Sequence, residues 1–239
     1  ATRGYYIYPS GGILRISGPD RLDFLQRQTS NDLRRLNLDT SVTTVLTSPT
    51  ARILDVLCVV VEADSLLVVS LVGRGQATAA FLRKRTFFMD KIEITDVSQQ
   101  MSLIELVPLS RTAQSIHPFD MAPGSVIRQD TAGVSVTVVG VTSAARLGEW
   151  LLCPPDAKQS IVNTLLEQGG VIPLSGAERE IRRIESGIPG PDGELHEAYT
   201  PLEIGLHDFV SGTKGCYTGQ EVLARQVTYD KVMKHMVGV

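Results

Sequence analysis

The sequence predicts an α+β fold made of two pseudo-repeated antiparallel-sheet domains with helices, followed by a separate C-terminal segment. Three observations carry this. The strand candidates are short, rich in β-branched residues and bounded by turn formers. One order of elements, strand–helix–strands–helix–strand, occurs twice, over residues 1–97 and 98–199. The 239 residues are 43% hydrophobic and 21% charged, which suits one large domain or two modest ones with ample core.

In the first unit, Ile13-Leu14-Arg15-Ile16 alternates as a strand. Ser17-Gly18-Pro19-Asp20 reads as a helix entry, and Leu22, Leu25 and Gln26-Arg27-Gln28 continue that helix. Val42 to Leu46, Ile53 to Val61 and Leu66 to Leu71 read as strands. Gly75 to Phe88 has helical spacing, and Lys91 to Val97 closes the unit as a strand. In the second unit, strands are expected over Leu103 to Val107, Val134 to Val141, Leu147 to Cys153 and Val171 to Leu174. Helices are expected over Ser110 to Ile116 and Pro155 to Gln168, with Gly169-Gly170 as the stop. A charged helix, Gly176 to Ser186, leads into a Gly- and Pro-rich loop ending near residue 199. Residues 200–239 end on an apparent strand, His235 to Val239, which has nothing to pair with, so a further domain is expected beyond it.

The composition excludes a disordered chain, a collagen and a coiled coil. A net charge of −3 argues against direct nucleic-acid binding. The longest apolar run, Val56 to Val61, is far shorter than the roughly 20 residues of a membrane helix, so no membrane partner is expected. Ala1 to Gly12 lacks a basic-then-apolar leader pattern. Three scattered cysteines make no disulfide framework and no self-contained metal site, and they suit a reducing compartment. Cys58 and Cys153 read as core residues.

The densest run of small and polar residues is Lys214-Gly215-Cys216-Tyr217-Thr218-Gly219-Gln220-Glu221. Thr218 and Glu221 have capping-box spacing, so a helix is expected from Gly219 towards Arg225. Cys216 then precedes a helix N-terminus, where the dipole and the ammonium of Lys214 favour a thiolate. The competing reading is a small residue in a tight turn. His207 and His235 read as ordinary surface residues. Asp55 interrupts an apolar strand: it is either desolvated with a raised pKa, as an acid–base group would be, or on a solvated face. Glu185 ends a helix, where the dipole disfavours it; it either pairs with Arg182 or Arg183 or accepts two hydrogen bonds from an aminopyrimidine edge. Asn31-Asp32 is a turn cap or part of a polar pocket. Arg83-Lys84-Arg85 is a solvated helix face or a site for an anionic polyglutamate tail.

The Cys216 octapeptide resembles the signature of the YgfZ-type folate-binding proteins, which are linked to iron–sulfur cluster assembly and repair and related to the glycine-cleavage T-protein, an aminomethyltransferase. The resemblance extends to Leu25-Gln26-Arg27-Gln28-Thr29-Ser30-Asn31-Asp32-Leu33, Arg52-Ile53-Leu54-Asp55, Arg183-Ile184-Glu185-Ser186-Gly187-Ile188-Pro189 and Pro201-Leu202-Glu203-Ile204-Gly205-Leu206. It implies two domains around a central folate channel and a C-terminal β-barrel. It also implies tetrahydrofolate or a derivative as cofactor, with Glu185 on the pteridine, Asp55 near the reduced ring and Asn31 in the pocket. Cys216 becomes the reactive or partner-facing thiol, tuned by Lys214. T-proteins often carry two successive aspartates where this chain has Asp55-Val56, which weakens the case for aminomethyl transfer, and the Cys motif points to the YgfZ branch. Iron–sulfur assembly or client proteins are the implied partners of a monomer, in a cytoplasm or an organelle matrix. A true aminomethyltransferase with a lipoyl-carrying partner, and a folate-independent scaffold acting through Cys216, are the competing expectations.

Overall fold

The computed structural model describes residues 3–9, 12–109, 121–140, 148–168 and 170–237. The first part of the chain forms β1 (Arg3–Ile7), β2 (Ile13–Ser17), α1 (Arg21–Gln28), β3 (Ser41–Thr47), β4 (Ile53–Val61), β5 (Ser65–Val69), α2 (Gly75–Arg83) and β6 (Glu93–Asp96). The second forms β7 (Ser102–Pro108), β8 (Val126–Thr131), β9 (Val134–Val139), β10 (Glu149–Cys153), α3 (Lys158–Glu167), β11 (Val171–Pro173) and α4 (Gly176–Glu185). Two short 3-10 turns, Pro201–Ile204 and His207–Phe209, precede α5 (Gln220–Thr228).

The repeat expected from the element order is present in the sheet topology. One sheet runs β3-β4-β5-β2-β6 and the other β8-β9-β10-β7-β1-β11. Strands β2 to β6 therefore correspond in order to β7 to β11, with β1 inserted between β7 and β11. That insertion explains the one parallel pairing among the named strands, β1 with β11, since β1 is antiparallel to β7. Residues 3–7 thus lie in the sheet of the second unit, apart from residues 13–97. No local pattern announces this, because β1 pairs with residues 104–108.

The two sheets pack face to face and each carries helices outside. Ile13, Cys58, Val60, Leu67 and Val69 meet Leu103, Val126, Val139, Trp150 and Leu152 between the sheets. Leu57, Val59 and Val61 point the other way, onto Phe24, Leu25, Ala79 and Leu82 of α1 and α2. On the outer face of the second sheet, Ile104, Leu106, Val138 and Leu151 pack on Ile161, Val162 and Leu165 of α3. Strand β4 is buried on both faces, which is why its sequence is apolar throughout except at Asp55. Cys58 and Cys153 lie in these cores, as expected.

Several boundaries differ from the sequence reading. Helix α2 stops at Arg83 rather than Phe88, because Arg85 and Thr86 donate their N–H groups to the carbonyls of Leu82 and Arg83 and tighten the chain into a turn. Strand β9 falls within the expected Val134 to Val141, whereas β8 has no counterpart in the sequence reading: the two-residue turn that joins them, Ala132-Gly133, has φ values of 56° and 75° and carries an alanine where such turns favour Asn or Asp. No strand forms over residues 235–237; Met236 instead donates its N–H to the carbonyl of Glu203. The β-barrel implied by the resemblance is not seen among the described residues. The helix expected over Ser110 to Ile116 lies outside them.

Candidate functional site

Helix α4 begins with a capping box: Ser175 Oγ accepts from Glu178 N, and the Glu178 carboxylate accepts from Ser175 N. Its inner face is held by arginines rather than by apolar side chains. Arg179 donates to Glu105 at 2.6 Å and to Tyr8 Oη at 2.6 Å, and its guanidinium lies over the rings of Tyr6 and Tyr8. Glu105 is fully buried and also accepts from Tyr8 at 3.0 Å and Trp150 Nε1 at 3.4 Å. Arg183, also buried, engages Glu180, Glu194 and the carbonyl of Ile188. Gly190 closes over it: a Cβ there would meet the guanidinium carbon at 2.5 Å. Arg182 reaches the carbonyl of Leu109.

With the arginines turned inward, the outer face of α4 presents Ile181, Ile184 and Glu185 to solvent. Glu185 is thus an exposed carboxylate at the end of a firmly seated helix, beside exposed apolar side chains.

Asp55 is fully buried, and this decides between its two readings: it faces no solvent. Residue Leu54 bulges out of the ladder, since Leu46 pairs with Asp55 and Thr47 with Ile53. Oδ1 accepts from Val56 N at 2.8 Å and Leu71 N at 3.0 Å, and Oδ2 from Thr78 Oγ1 at 2.5 Å. The carboxyl bolts β4 to the turn before α2 and to α2 itself. Burial pushes its pKa up to about 6 against the pull of these donors and of the Arg74 charge. Both oxygens are engaged internally, so the carboxyl ties these elements together.

Asn31 is engaged in the same way. Its Nδ2 donates to the carbonyl of Thr43, its Oδ1 accepts from Asp32 N, and its own N–H donates to Thr44 Oγ1. These bonds tie Asn31 to β3 and to its neighbour Asp32.

The Cys motif is built around Lys214, whose ammonium is buried. Nζ donates to the carbonyls of Gln26 at 2.7 Å, Thr29 at 2.6 Å and Asn31 at 2.7 Å. A cation thereby caps the C-terminal end of α1, where the macrodipole favours it. Burial still draws its pKa down to about 8. Lys214 is thus a clamp between two sequence motifs, and its three donors are taken up by backbone carbonyls. Tyr217 is buried against Ala51, Leu202 and Leu223. The expected Thr218–Glu221 box does not form. Thr218 instead accepts from Arg85 and gives its carbonyl to Thr47 Oγ1 at 2.6 Å, and the residue before α5 is Gly219. Gly219 has φ +85°, and a Cβ there would lie 2.7 Å from the carbonyl oxygen of Ser48. Cys216 is exposed, as are Gly215 and Glu221.

The structure therefore brings together the segments around residues 26–31, 47–55 and 200–221. Glu203 joins them: it closes a second capping box with Thr200 and meets Arg52 at 3.4 Å. Arg52, Arg74, Arg179 and Glu105 were not singled out by sequence reading. Ser-x-x-Glu at 175–178 and Thr-x-x-Glu at 200–203 were visible signals for two caps.

Known proteins share this frame. The GCVT N-terminal domain family matches residues 10–214. The Arabidopsis thaliana protein "Putative transferase At1g60990, chloroplastic" is 32% identical over 237 residues, covering 95% of this chain and 54% of its own length. An aminomethyltransferase of Moorella thermoacetica is 28% identical, covering 90% of this chain and 61% of its own length. The chain thus spans somewhat over half the length of these relatives. The crystal structure of glycine cleavage system aminomethyltransferase T from Bartonella henselae superposes with a TM-score of 0.79 at 18% identity, over 96% of this chain and 64% of that one, and shares the fold. With the family match spanning most of its length, the chain belongs to the GCVT N-terminal domain family.

Proposed function

We propose that this chain binds a reduced folate through Glu185 and serves iron–sulfur cluster assembly or repair through the exposed thiol of Cys216, as the resemblance to YgfZ-type proteins implies. The observation that carries the folate reading is the exposed Glu185 carboxylate on a helix whose inner face is locked by Arg179 and Arg183. The donor and acceptor chemistry fits: a carboxylate offers two acceptors to the neighbouring N–H groups of an aminopyrimidine edge. Ile184 and Ile181, exposed beside it, offer apolar area to the ring. Asp55 and Asn31 take no part, since their polar atoms are engaged internally. A bound folate supplies a carrier for one-carbon units; the chain's own residues bind and orient it. Domains bounded at residues 97 and 199, and a further C-terminal domain, belong to this proposal.

Aminomethyl transfer is the second reading, favoured by relatives that carry that name. It requires formation of methylenetetrahydrofolate from an aminomethyl-lipoyl partner and leaves Cys216 dispensable. The deciding experiment is calorimetric titration with tetrahydrofolate under reducing conditions. Wild type and Cys216→Ala are expected to bind, and Glu185→Ala to lose binding. Absence of binding by wild type sinks the folate reading.

A further inference from the structure

Between α2 and β6 the chain makes a tight turn whose tip is apolar. Phe87, Phe88 and Met89 are 65%, 99% and 69% exposed. Three consecutive large apolar side chains on a turn need a reason, because exposed apolar residues are ordinarily scattered singly. The turn is rigidly built. Asp90 donates its N–H to the carbonyl of Phe87 at 3.0 Å, and its carboxylate accepts from Phe87 N at 2.9 Å. The other carboxylate oxygen takes a 2.7 Å bond from Arg27 on α1. Asp90 is thereby neutralised by Arg27 and turned back into the stem.

The stem carries cations on both sides of the tip. Lys84 and Lys91 are exposed. Arg83, also exposed, donates to the carbonyl of Ile94, and Arg85, half-buried, lies over the Phe81 ring and donates to Thr218. Glu93, on β6, is the exposed acid next along the chain.

We propose that the Phe87-Phe88-Met89 turn is a contact point for a bilayer surface carrying anionic lipid: the three side chains enter the interfacial layer, and Lys84 and Lys91 lie against the headgroups. The shape favours lipid over a protein partner. A stable protein interface buries about 800 Å² on each side, and three side chains on one turn offer only a small part of that. Reversible attachment to a bilayer needs only a short apolar insertion combined with a few cations. The preformed turn also removes the ordering cost that a flexible loop carries on insertion. Among the described residues no helix is long and apolar enough to cross a membrane, and contact of this kind requires none. The proposal is independent of the folate reading, since the turn shares no residue with Glu185 or Cys216.

The test is co-sedimentation of the 239-residue chain with vesicles of phosphatidylcholine alone and of phosphatidylcholine mixed with phosphatidylserine. Wild type is expected to pellet with the anionic vesicles at low salt and to be released by high salt. Phe88→Ser is expected to weaken binding about tenfold or more, and Lys84→Gln with Lys91→Gln about thirtyfold. All these side chains are exposed, so the variants keep the fold, which circular dichroism verifies. Phe88→Trp gives a depth readout against the buried Trp150: its emission should move to the blue on anionic vesicles and be quenched by brominated lipid. Failure of wild type to pellet overturns the proposal and leaves the turn to a protein pocket. Wild-type binding by Phe88→Ser, or an unshifted Phe88→Trp spectrum on bound vesicles, overturns it too.

Discussion

Replacing Asp55 with Asn should make the protein more stable at neutral pH, although it removes a charge that accepts three hydrogen bonds. The carboxyl sits in the folded protein at a pKa of about 6 against an ordinary value of 3.8, with burial the largest cause. A raised acid binds more protons when folded than when unfolded, so its contribution is fully present below 3.8 and is lost as pH rises through 6. At 1.36 kcal/mol for each pH unit, the whole effect is about 3 kcal/mol. Between pH 4.5 and 7.5 the linkage relation gives about 2 kcal/mol of it. Asparagine can keep Oδ1 on the N–H groups of Val56 and Leu71 and turn its amide towards Thr78, whose hydroxyl accepts as readily as it donates. Urea unfolding of both proteins at the two pH values isolates the effect, because the other titrating groups cancel between them. Asp55→Asn should gain about 2 kcal/mol on wild type as pH rises from 4.5 to 7.5. Parallel curves, or a gain in the opposite direction, would refute the account of Asp55 as a desolvated internal bolt. Tetrahydrofolate binding should survive the substitution, in contrast to Glu185→Ala.

Lys214→Met should cost about 3 kcal/mol, because it orphans the carbonyls of Gln26, Thr29 and Asn31, and hydrogen exchange should show α1 fraying from its C-terminal end. Gly219→Ala should lower stability by about 2 kcal/mol or more, from the left-handed φ and the contact with Ser48, whereas Gly215→Ala, with open space around it, should change it by less than about 0.5 kcal/mol; thermal melts of the two compare them directly. A thiol reagent should label one cysteine of three in the native protein, Cys216, since Cys58 and Cys153 are buried and burial pushes the Cys153 thiol up to about 11. Labelling of two or three before unfolding would contradict the packing of the cores.

The sequence reading found the strands and helices whose signals are local. Strand β4 was legible as a β-branched run, and α1 from its turn-forming entry. Strand β1 was not, because a Tyr-rich stretch becomes a strand here only by pairing with residues a hundred positions away. The repeat was legible in order alone; its confirmation needed the pairing, and the inserted β1 hides it from any residue-by-residue comparison. At α5 a local rule lost to tertiary contacts. Thr218 and Glu221 had the right spacing, but Arg85 and Thr47, both distant in sequence, engaged Thr218 first.

The motif around Cys216 shows why sequence patterns mix stability with chemistry. Lys214 clamps α1, Tyr217 fills a core, Thr218 ties to β3, and Gly219 permits the close approach of the Ser48 carbonyl. Four of the eight motif residues are thereby accounted for by packing and backbone geometry, and a substitution at any of them changes the protein before it changes any reaction. Among the motif's buried and exposed side chains, Cys216 is the exposed one with nucleophilic chemistry. Asn31 and Asp55 are likewise held by internal hydrogen bonds, and Glu185 is exposed. Functional comparison should therefore rest on Cys216 and Glu185, where loss of function at unchanged melting temperature is interpretable. Substitutions at Lys214 and Asp55 change stability as well, so their effect on function is read against the melting temperature.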